Sequence, residues 1–576
     1  MKIFQKANNY YGDLIETTLE NRDIADQDLF LNPDDTIYTH SVHINRIEEG
    51  IELLQRHLIA NNKIAILVDQ DADGFMSSSL LYRFLNEYSA TTKDLHYILH
   101  DTKAHGLTEK VMAKIYEMNP RLVIIPDAGS NDTAQIEELE AKKINVLVID
   151  HHQVTQFTDK GVIINNQLSP MANKHFVGVG MVYKFIEAIN NQYHICNLDN
   201  FLDVVSLGQI ADASDIADPE IRYIVLKGLD NIQNNFLKVS IGQKNGFGVQ
   251  LAPKDMSFGV IPLINSVTRV GELWEREVLF KALSHIDDGS TYEVIKKKKD
   301  KETGKFNQVT FNFNIYEYAY EVASKCKSRQ DAAVKKLVVH IEDTIVDDAG
   351  VIIAFSGDTE NPGITGLVAN KIMSKYDKPT LLLNEQEETF TGSGRGHEKT
   401  MKDFRSWCEK SDLVEFAQGH DNAFGICIRK DRLNEFKEYS RKVEKQELVY
   451  EVDIITDKPV KEHCETVDGS KRLFGGSVSE PFIGIVGLSV PKRFISVKGS
   501  MLTIFSWGVS CVMFSAPVSL YDKLMSSPDE YVVINMVGFY GMNDWNGRKT
   551  PQFMIKDIEV VEKNTSEEVT VDNIVF

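Results

Sequence analysis

The segment Lys63 to Leu85, KIAILVDQDADGFMSSSLLYRFL, holds the strongest indication of the fold of this chain. Its apolar opening is rich in β-branched residues and predicts a buried strand, and the apolar residues after Gly74 follow helical spacing. Three carboxylates, Asp69, Asp71 and Asp73, stand on alternate residues between the two. Carboxylates at this spacing repel one another, so folding them together costs free energy unless something positive joins them.

Two later segments repeat this plan. The segment 121–132, RLVIIPDAGSND, places an aspartate after an apolar run, and the segment 143–153, KINVLVIDHHQ, places an Asp-His-His triplet after another. Apolar strands that alternate with helical stretches predict an α/β fold in which a parallel sheet carries helices on both faces. Because ligands bind at the carboxyl ends of such strands, we expect these polar groups to converge on one edge of the sheet.

Together these groups predict a divalent-metal site. A ligand set rich in carboxylates, with one or two imidazoles, suits Mn²⁺ or Mg²⁺ better than zinc. Two ions that share a carboxylate can hold a phosphodiester and activate water for in-line attack. Taken singly, D-x-D-x-D-G also fits a turn or a calcium loop, so the prediction depends on all the motifs occurring in order. The candidate cluster comprises Asp69, Asp71, Asp73, Asp127, Asp150, His151, His152 and Asp212.

The composition bounds the class of protein. The chain has 576 residues, of which 43% are hydrophobic and 26% charged, which predicts a soluble globular protein of several domains. It shows neither an apolar stretch of about 18 residues nor the apolar core of a signal peptide, so we expect a cytoplasmic protein without a membrane span. Its six cysteines include no C-x-x-C pair, which argues against zinc and disulfides. The net charge of −21 weighs against nucleic acid as a partner, although a local groove can still be basic.

Beyond the first α/β pattern the chain changes character. The region 231–330 is mixed and reads as a helical connector, within which the lysine-rich segment 294–308 is expected to be an exposed loop. A second α/β pattern follows over 331–448. The region 449–576 is strand-rich with glycine turns, which suggests a small β-barrel.

The motifs, in order, resemble those of the DHH phosphoesterase superfamily and above all its RecJ branch of single-strand-specific 5′→3′ exonucleases. DQDADG, DAG, VIDHH and SLGQIADASDI are similar to its first four motifs. HGLTE, FVGVGMVYKF, IPLINSVTRVGE, NPGITGLVANKI, GSGRG, GHDNAFG and NDWNGRKTPQFMIKDI extend the likeness over roughly residues 30 to 560. It implies a DHH catalytic domain (1–230), a helical connector (231–330), a smaller α/β DHHA1 domain (331–448) and a β-barrel OB-fold domain (449–576).

The resemblance also implies the metal ligands. Asp71 would bind one metal and Asp73 the other, and Asp127 would bridge the two. His151 and Asp212 would complete the shell of the second metal.

Two further groups complete the expected centre. By the same resemblance, His152 would face the scissile phosphate, and Asp150 would orient or buffer the histidines from behind the metal ligands. The chain departs from the pattern at Leu67, where many superfamily members carry a histidine. A leucine cannot ligate, so Asp69 or water would fill that position.

Substrate contacts follow from the later motifs. The glycines of GSGRG allow close approach of an anion, and arginine offers a two-pronged donor to phosphate, although the segment taken alone reads as a glycine turn. In RecJ proteins the matching loop helps to hold the 5′-terminal phosphate, which implies that role for Ser393, Gly394 and Arg395. Arg269 is expected to contact the strand. His420 would line the same cleft or serve as a structural histidine.

The C-terminal region supplies a second candidate surface. Trp545, Arg548 and Lys549 combine an aromatic ring with positive charge, which suits single-stranded DNA because both base stacking and backbone charge are met. Trp507, within IFSWGVSC, is instead expected in the core.

The residue that matches a family arginine upstream of Gly106 is His100.

The leading hypothesis is a two-metal, single-strand-specific DNA exonuclease that works from the 5′ end, with Mn²⁺ or Mg²⁺ as cofactor. The expected protein is a monomer in DNA repair, recombination or phage DNA metabolism, with a single-strand-binding protein or a helicase as a candidate helper. One alternative is a phosphodiesterase of short oligonucleotides or cyclic dinucleotides. A second is a non-catalytic replication or repair scaffold.

Overall fold

The structure is a computed structural model. It describes residues 1–6, 12–89, 94–101, 104–243, 250–299, 304, 306–342, 345, 350–357, 362–397, 400–443, 449–514, 516–526, 528–545 and 547–561. The chain divides into two compact units, one formed by 26–330 with 472–478 and the other by 1–25 with 331–471 and 479–576. Within the described ranges, none of the helices combines the length and the apolar character that crossing a membrane requires.

Both helices and strands occur throughout the chain. The helices are α1 (Leu14–Glu20), α2 (Gln27–Leu31), α3 (Ile47–Ile59), α4 (Ala72–Tyr88), α5 (Glu109–Met118), α6 (Thr133–Ala141), α7 (Gly178–Tyr193), α8 (Leu202–Ala211), α9 (Pro219–Asp230), α10 (Asn235–Gly242), α11 (Pro253–Gly259), α12 (Ile261–Val270), α13 (Leu273–Leu283), α14 (Ile315–Glu342), α15 (Thr365–Tyr376), α16 (Phe404–Glu409), α17 (Leu433–Ser440), α18 (Lys461–Gly469) and α19 (Val518–Ser526). The strands are β1 (Lys2–Gln5), β2 (Ile64–Val68), β3 (Leu95–Leu99), β4 (Leu122–Pro126), β5 (Asn145–Asp150), β6 (Val162–Asn165), β7 (Tyr292–Lys299), β8 (Phe306–Phe313), β9 (Ile352–Phe355), β10 (Thr380–Glu385), β11 (Thr389–Arg395), β12 (Phe416–His420), β13 (Ala423–Arg429), β14 (Val449–Val452), β15 (Ile454–Thr456), β16 (Phe482–Pro491), β17 (Ile495–Lys498), β18 (Met501–Ser506), β19 (Val509–Met513), β20 (Tyr531–Trp545) and β21 (Arg548–Val560).

The unit that contains residues 26–330 is built on a five-stranded, all-parallel sheet in the order β3-β2-β4-β5-β6. Its central strands are apolar and buried on both faces, as strands covered by helices on both sides must be. Leu67 and Val148 pack in one core with α5 and α6. From the opposite face, α3 and α7 approach Leu147 and Ile164. This arrangement confirms the predicted parallel sheet and fixes which strand ends lie side by side.

The connector differs from the expectation at one place. The segment 294–308 was expected to be a loop, but β7 and β8 pair as an antiparallel hairpin around it. Val294 is buried, and the Lys296 ammonium lies over the Phe313 ring at 5.1 Å. The pairs Tyr292 with Phe313 and Val294 with Phe311 across the two strands therefore outweigh the run of lysines, of which Lys297 and Lys298 are exposed.

The second unit contains two larger sheets. One has the order β12-β13-β11-β10-β9, in which only β9 and β10 are parallel, and GSGRG lies in its strand β11 rather than in a turn. The other has the order β15-β16-β20-β21-β19-β18-β17. The C-terminal region is thus strand-rich, but β15 and β17 are not paired with each other within the described residues. A closed barrel stays a prediction.

The first residues of the chain belong to the second unit. β1 pairs in parallel with β14, and the Arg22 guanidinium holds the buried Asp453 carboxylate by two hydrogen bonds of 2.7 and 2.9 Å. Residues 1–25 therefore fold with the C-terminal part of the chain, whereas the expected catalytic domain included them. The division into four domains stays a prediction.

Candidate metal centre

Three turns that carry carboxylates meet at the carboxyl edge of the parallel sheet. β2 ends just before Asp69, β4 ends just before Asp127, and Asp150 is the last residue of β5. Parallel pairing of β2 with β4 and of β4 with β5 sets these strand ends side by side. The convergence expected from the sequence is present.

Asp127 lies at the centre of the cluster in a left-handed backbone conformation, with φ of 62°. Its N–H donates to the Ile149 carbonyl at 2.9 Å, which holds the turn in place. Its carboxylate Oδ1 lies 3.2 Å from His151 Nε2. Burial raises the pKa of Asp127 well above its usual range, and the neighbouring charges of Asp73 and Asp71 raise it further.

A trio of possible metal ligands lies close to Asp127. One ligand atom from each of Asp73, His151 and Asp212 falls within 4.8 Å of the others. Asp73 Oδ1 accepts the Val179 N–H at 3.0 Å, whereas its buried Oδ2 accepts no hydrogen bond from any described residue. Burial raises the pKa of Asp73 well above its usual value, and the charges of Asp212 and Asp71 add to this effect.

Asp150 organises the two histidines and also lies close to Asp127, since one ligand atom from each of Asp127, Asp150, His151 and His152 falls within 4.8 Å of the others. Its Oδ1 accepts the N–H groups of His151 and His152 and the His152 Nδ1–H, the last at 2.7 Å. This hydrogen bond raises the pKa of His152 to about 9, and burial only partly opposes it. Burial and the charge of His152 lower the pKa of His151 to about 4, so His151 is held in the neutral form that binds metals.

The structure adds a residue that the sequence reasoning did not assign, His105. One ligand atom from each of Asp69, Asp71 and His105 lies within 4.8 Å of the others, and His105 Nδ1 is 2.6 Å from Asp69 Oδ2. The only available signal was its position in HGLTE, a motif carried by the resemblance without a role. Leu67, by contrast, is fully buried in the apolar core.

The donor set fits a divalent cation such as Mn²⁺ or Mg²⁺. Carboxylate oxygens dominate, and one imidazole completes each of two trios, His105 with Asp69 and Asp71 and His151 with Asp73 and Asp212. The buried Asp73 Oδ2, which no described hydrogen-bond donor satisfies, is the kind of atom that a bound cation would satisfy. The pKa values of Asp71, Asp73 and Asp127 are raised because these carboxylates are buried, lie close to one another and lack a counter-charge.

Small residues on neighbouring helices let these carboxylates fit. A Cβ on Gly178, the first residue of α7, would lie 2.3 Å from Asp127 Oδ1. A Cβ on Gly208, in α8, would lie 2.7 Å from Asp73 Oδ1. Glycines at these two positions therefore reserve the space that the cluster occupies.

Arg269 also belongs to this unit. It lies in the last turn of α12, where burial lowers the pKa of its guanidinium and the Asp71 carboxylate raises it. Gln70 connects the turn after β2 to α12, because its amide N–H donates to the Thr268 carbonyl at 3.0 Å. The structure thus places Arg269 within electrostatic reach of the carboxylate cluster.

In the second unit, the last two residues of GSGRG, Arg395 and Gly396, line a cavity. Ser393 Oγ lies 3.2 Å from Thr365 Oγ1 near the start of α15. The Arg395 guanidinium donates to the Gly394 carbonyl at 2.7 Å. A cavity of about 620 Å³ is lined by Arg395, His397, Asn370, Lys556 and their neighbours. His420 ends β12 and is exposed, outside the residues that line this cavity.

The remaining predicted contacts lie on the C-terminal sheet. Arg548 and Lys549 are exposed at the start of β21, and Lys549 forms an ion pair with Asp468 at 2.7 Å. The Trp545 side chain lies outside the described part of the structure. Trp507 was expected in the core, and this was wrong, because its side chain is 65% exposed.

A tight turn explains the exposure of Trp507. It forms the two-residue connection between β18 and β19 with Gly508, and both residues have positive φ, of 50° and 76°. Such turns project their side chains from the sheet. The Lys458 ammonium lies over its ring at 4.6 Å, which creates an exposed aromatic and cationic pair.

Comparison with known proteins agrees with this geometry. Residues 63–209 match the DHH family, N-terminal domain. The chain is 24% identical to the single-stranded-DNA-specific exonuclease RecJ of Bacillus subtilis over 93% of its own length and 66% of that protein. It is 31% identical to a B. subtilis protein provisionally named the SPbeta prophage-derived single-strand DNA-specific exonuclease YorK, over 97% of this chain and 98% of that one. The chain belongs to the RecJ-like DHH family.

Solved structures show the same fold for this RecJ-like chain. The RecJ of Thermus thermophilus in complex with Mn²⁺ matches 97% of this chain and 80% of its own, with a TM-score of 0.71 and 17% identity. The complex of that protein with Mg²⁺ matches 97% of this chain and 79% of its own, with a TM-score of 0.66 and 16% identity.

We expect that Gly178→Ala disturbs metal binding, because its new Cβ would collide with the Asp127 carboxylate. Calorimetric titration with Mn²⁺ should show an affinity roughly 10- to 100-fold lower, the range found when partners of metal ligands are removed. The matched control is Gly242→Ala at the end of α10, where no atom of a described residue lies within 4 Å of the added Cβ. An unchanged Mn²⁺ affinity for Gly178→Ala would contradict the close packing described above.

Proposed function

We propose that this chain is a metal-dependent exonuclease that hydrolyses single-stranded DNA from the 5′ end, with two divalent cations at the carboxyl edge of its parallel sheet. The observation that carries the proposal is the set of ligand groups at this edge of the sheet. Asp69 with Asp71 and His105, and Asp73 with His151 and Asp212, form two trios, and the buried Asp127 forms a further group with Asp150, His151 and His152. The names of its relatives, which are single-strand-specific exonucleases, supply the substrate class.

In this proposal each trio serves one cation. Asp71 belongs to the first, Asp73 with His151 and Asp212 to the second, and Asp127 to both. Two cations bound there would act as Lewis acids toward the phosphate and lower the pKa of the attacking water.

The surrounding residues orient and attract the substrate. Asp150 fixes the His152 ring through its Nδ1–H and favours the protonated imidazole, which can attract the scissile phosphate. Arg269, close to Asp71, provides a further positive charge beside the cluster. The positive charges of His152 and Arg269 offset the repulsion that a polyanionic strand would meet in a chain of net charge −21.

The second unit would bind the ends and bases of the strand. Arg395, which follows Ser393 and Gly394 on β11, lines a cavity large enough for a terminal nucleotide, and arginine matches the geometry of a phosphate. The C-terminal sheet, proposed as an OB-fold, would add Trp545, Arg548 and Lys549. The sheet that contains β12 would add His420. The proposed domain order is catalytic DHH, connector, DHHA1 and OB-fold.

The exposed pair of Trp507 and Lys458 supports a single-stranded substrate. An aromatic ring open to solvent offers a stacking platform to unpaired bases, and the nearby ammonium can meet a backbone phosphate. Paired bases in a duplex present no free face to such a ring.

Digestion of end-labelled DNA tests the polarity. With Mn²⁺, we expect mononucleotide release to begin at a 5′ label on a single strand, and a blunt duplex to resist. Asp127→Ala should lower the rate by at least about 100-fold, the order that loss of one electrostatic stabiliser costs. The control is Asp159→Ala, whose side chain is 87% exposed and pairs only with Lys160 in the described structure. Release that starts at a 3′ label would overturn the proposed direction, and a fully active Asp127→Ala would overturn the proposed site.

A second experiment addresses the role of Arg395. We expect the wild-type protein to degrade strands with a 5′-phosphate faster than strands with a 5′-hydroxyl, because the guanidinium gains a charge-assisted contact only with the former. Arg395→Ala should remove this preference mainly through KM, and Arg395→Lys should restore part of it. Arg429→Ala on β13, an exposed arginine paired with Asp431, is the matched control. A preference that survives in Arg395→Ala would exclude this assignment.

A further inference from the structure

The edge of the sheet next to β2 carries an imidazole on a loop rather than on the strand. Leu67 on β2 is packed among apolar residues and offers no donor atom. His105 follows β3 in the chain and lies beside Asp69 instead, with its Nδ1 at 2.6 Å from Asp69 Oδ2. Among the described residues, the trio that contains Asp71 includes one imidazole, that of His105, and it comes from the loop.

The loop that carries His105 is held in place by its own backbone. The Gly106 N–H donates to Asp69 Oδ1 at 3.1 Å, and the Leu107 N–H donates to Asp132 Oδ2 at 2.7 Å. Gly106 has a φ of 65°, and a Cβ there would lie 2.2 Å from Asp132 Oδ2. The chain thus uses a glycine to bring the residue before it close to the carboxylates.

The spacing suits a single ion. Metal bonds of about 2.0–2.2 Å leave two ligands of one ion at most about 4.4 Å apart. The donor atoms of Asp69, Asp71 and His105 are spread over no more than 4.8 Å, which a small side-chain rotation closes. A cation bound to both Asp69 and His105 would take the place of the proton that joins them.

An independent observation points to missing positive charge at this place. His100 Nε2 is buried, lies 3.8 Å from Asp69 Oδ1 and has no hydrogen-bond partner among the described residues. It is therefore directed toward Asp69 without satisfying it. His105 approaches from the solvent side, since its side chain is 57% exposed, the side from which an ion would enter.

We propose that His105 Nδ1 is a ligand of the first cation, together with Asp71 and Asp69. This inference deepens the proposed function and rests on its two-cation site. Because imidazole favours Mn²⁺ over Mg²⁺, His105 would also bias this position toward Mn²⁺.

A pair of isosteric variants separates ligation from mere positioning of Asp69. His105→Asn keeps an N–H that can donate to Asp69 but supplies a poor ligand. His105→Asp supplies a carboxylate ligand but cannot donate to Asp69 when ionised. Ligation therefore predicts loss in His105→Asn and retention in His105→Asp, whereas a positioning role predicts the reverse.

The readout is the number and affinity of bound Mn²⁺ ions, measured by calorimetry and by the electron paramagnetic resonance signal of free Mn²⁺. We expect two ions in the wild-type protein and in His105→Asp. In His105→Asn the affinity for one ion should fall by at least about tenfold, with a smaller loss when Mg²⁺ is titrated. The control is His96→Asn on β3, a half-exposed histidine 2.5 Å from Asp94 that lies outside the trio.

Two outcomes would overturn the inference, and they are distinguishable. If the wild-type protein and His105→Asn both bind two Mn²⁺ ions with equal affinity, His105 is not a ligand, and the proposed function stands. If the wild-type protein binds fewer than two ions, the two-cation site itself fails. Thermal unfolding of His105→Asn without metal should match the wild type, since the His105 side chain is more than half exposed. His105→Asp adds a carboxylate beside Asp69, so its unfolding temperature should be lower than that of the wild type without metal and should recover when Mn²⁺ is added.

Discussion

Repulsion among buried carboxylates is the constraint on which this structure depends. Asp69, Asp73, Asp127 and Asp150 are each at most 2% exposed, in a region where water cannot screen their charges. Asp150 is satisfied by the backbone N–H groups of Ser130, His151 and His152 and by the His152 ring. The others are not satisfied to the same degree, and the raised pKa values of Asp73 and Asp127 express the deficit. A pair of divalent cations would supply the missing charge, and the same cations would make the site reactive toward a phosphodiester.

The fold concentrates these charges by simple means. Parallel strands end together, so the residue after each strand arrives at the same edge. Asp127 accepts a left-handed backbone to aim its carboxylate inward, and Gly178 and Gly208 leave room where any side chain would collide. The absence of side chains at these two glycines on α7 and α8 therefore contributes to the site as much as the ligands do.

Much of this was predictable from the sequence, because its signals are local. Apolar runs followed by acidic residues predicted β2, β4 and β5 and the edge where they meet. What the sequence did not indicate depends on contacts distant in the chain. His105 reaches Asp69 across 36 residues and carries no periodic signal. The β7–β8 hairpin forms despite its lysines because its apolar side chains find partners across the ladder. Trp507 was misjudged because tryptophan is usually buried, although the glycine after it is typical of a tight turn.

The acidic total of the chain is consistent with this local picture. Affinity for a polyanion would come from a few placed cations, whereas the remaining acidic surface keeps the protein soluble. The most direct test of the central claim is anomalous diffraction at the manganese edge from crystals grown with Mn²⁺. We expect two anomalous peaks flanking the Asp127 carboxylate, one near Asp71 and one near Asp73. A well-ordered cluster without anomalous density between its carboxylates would contradict it.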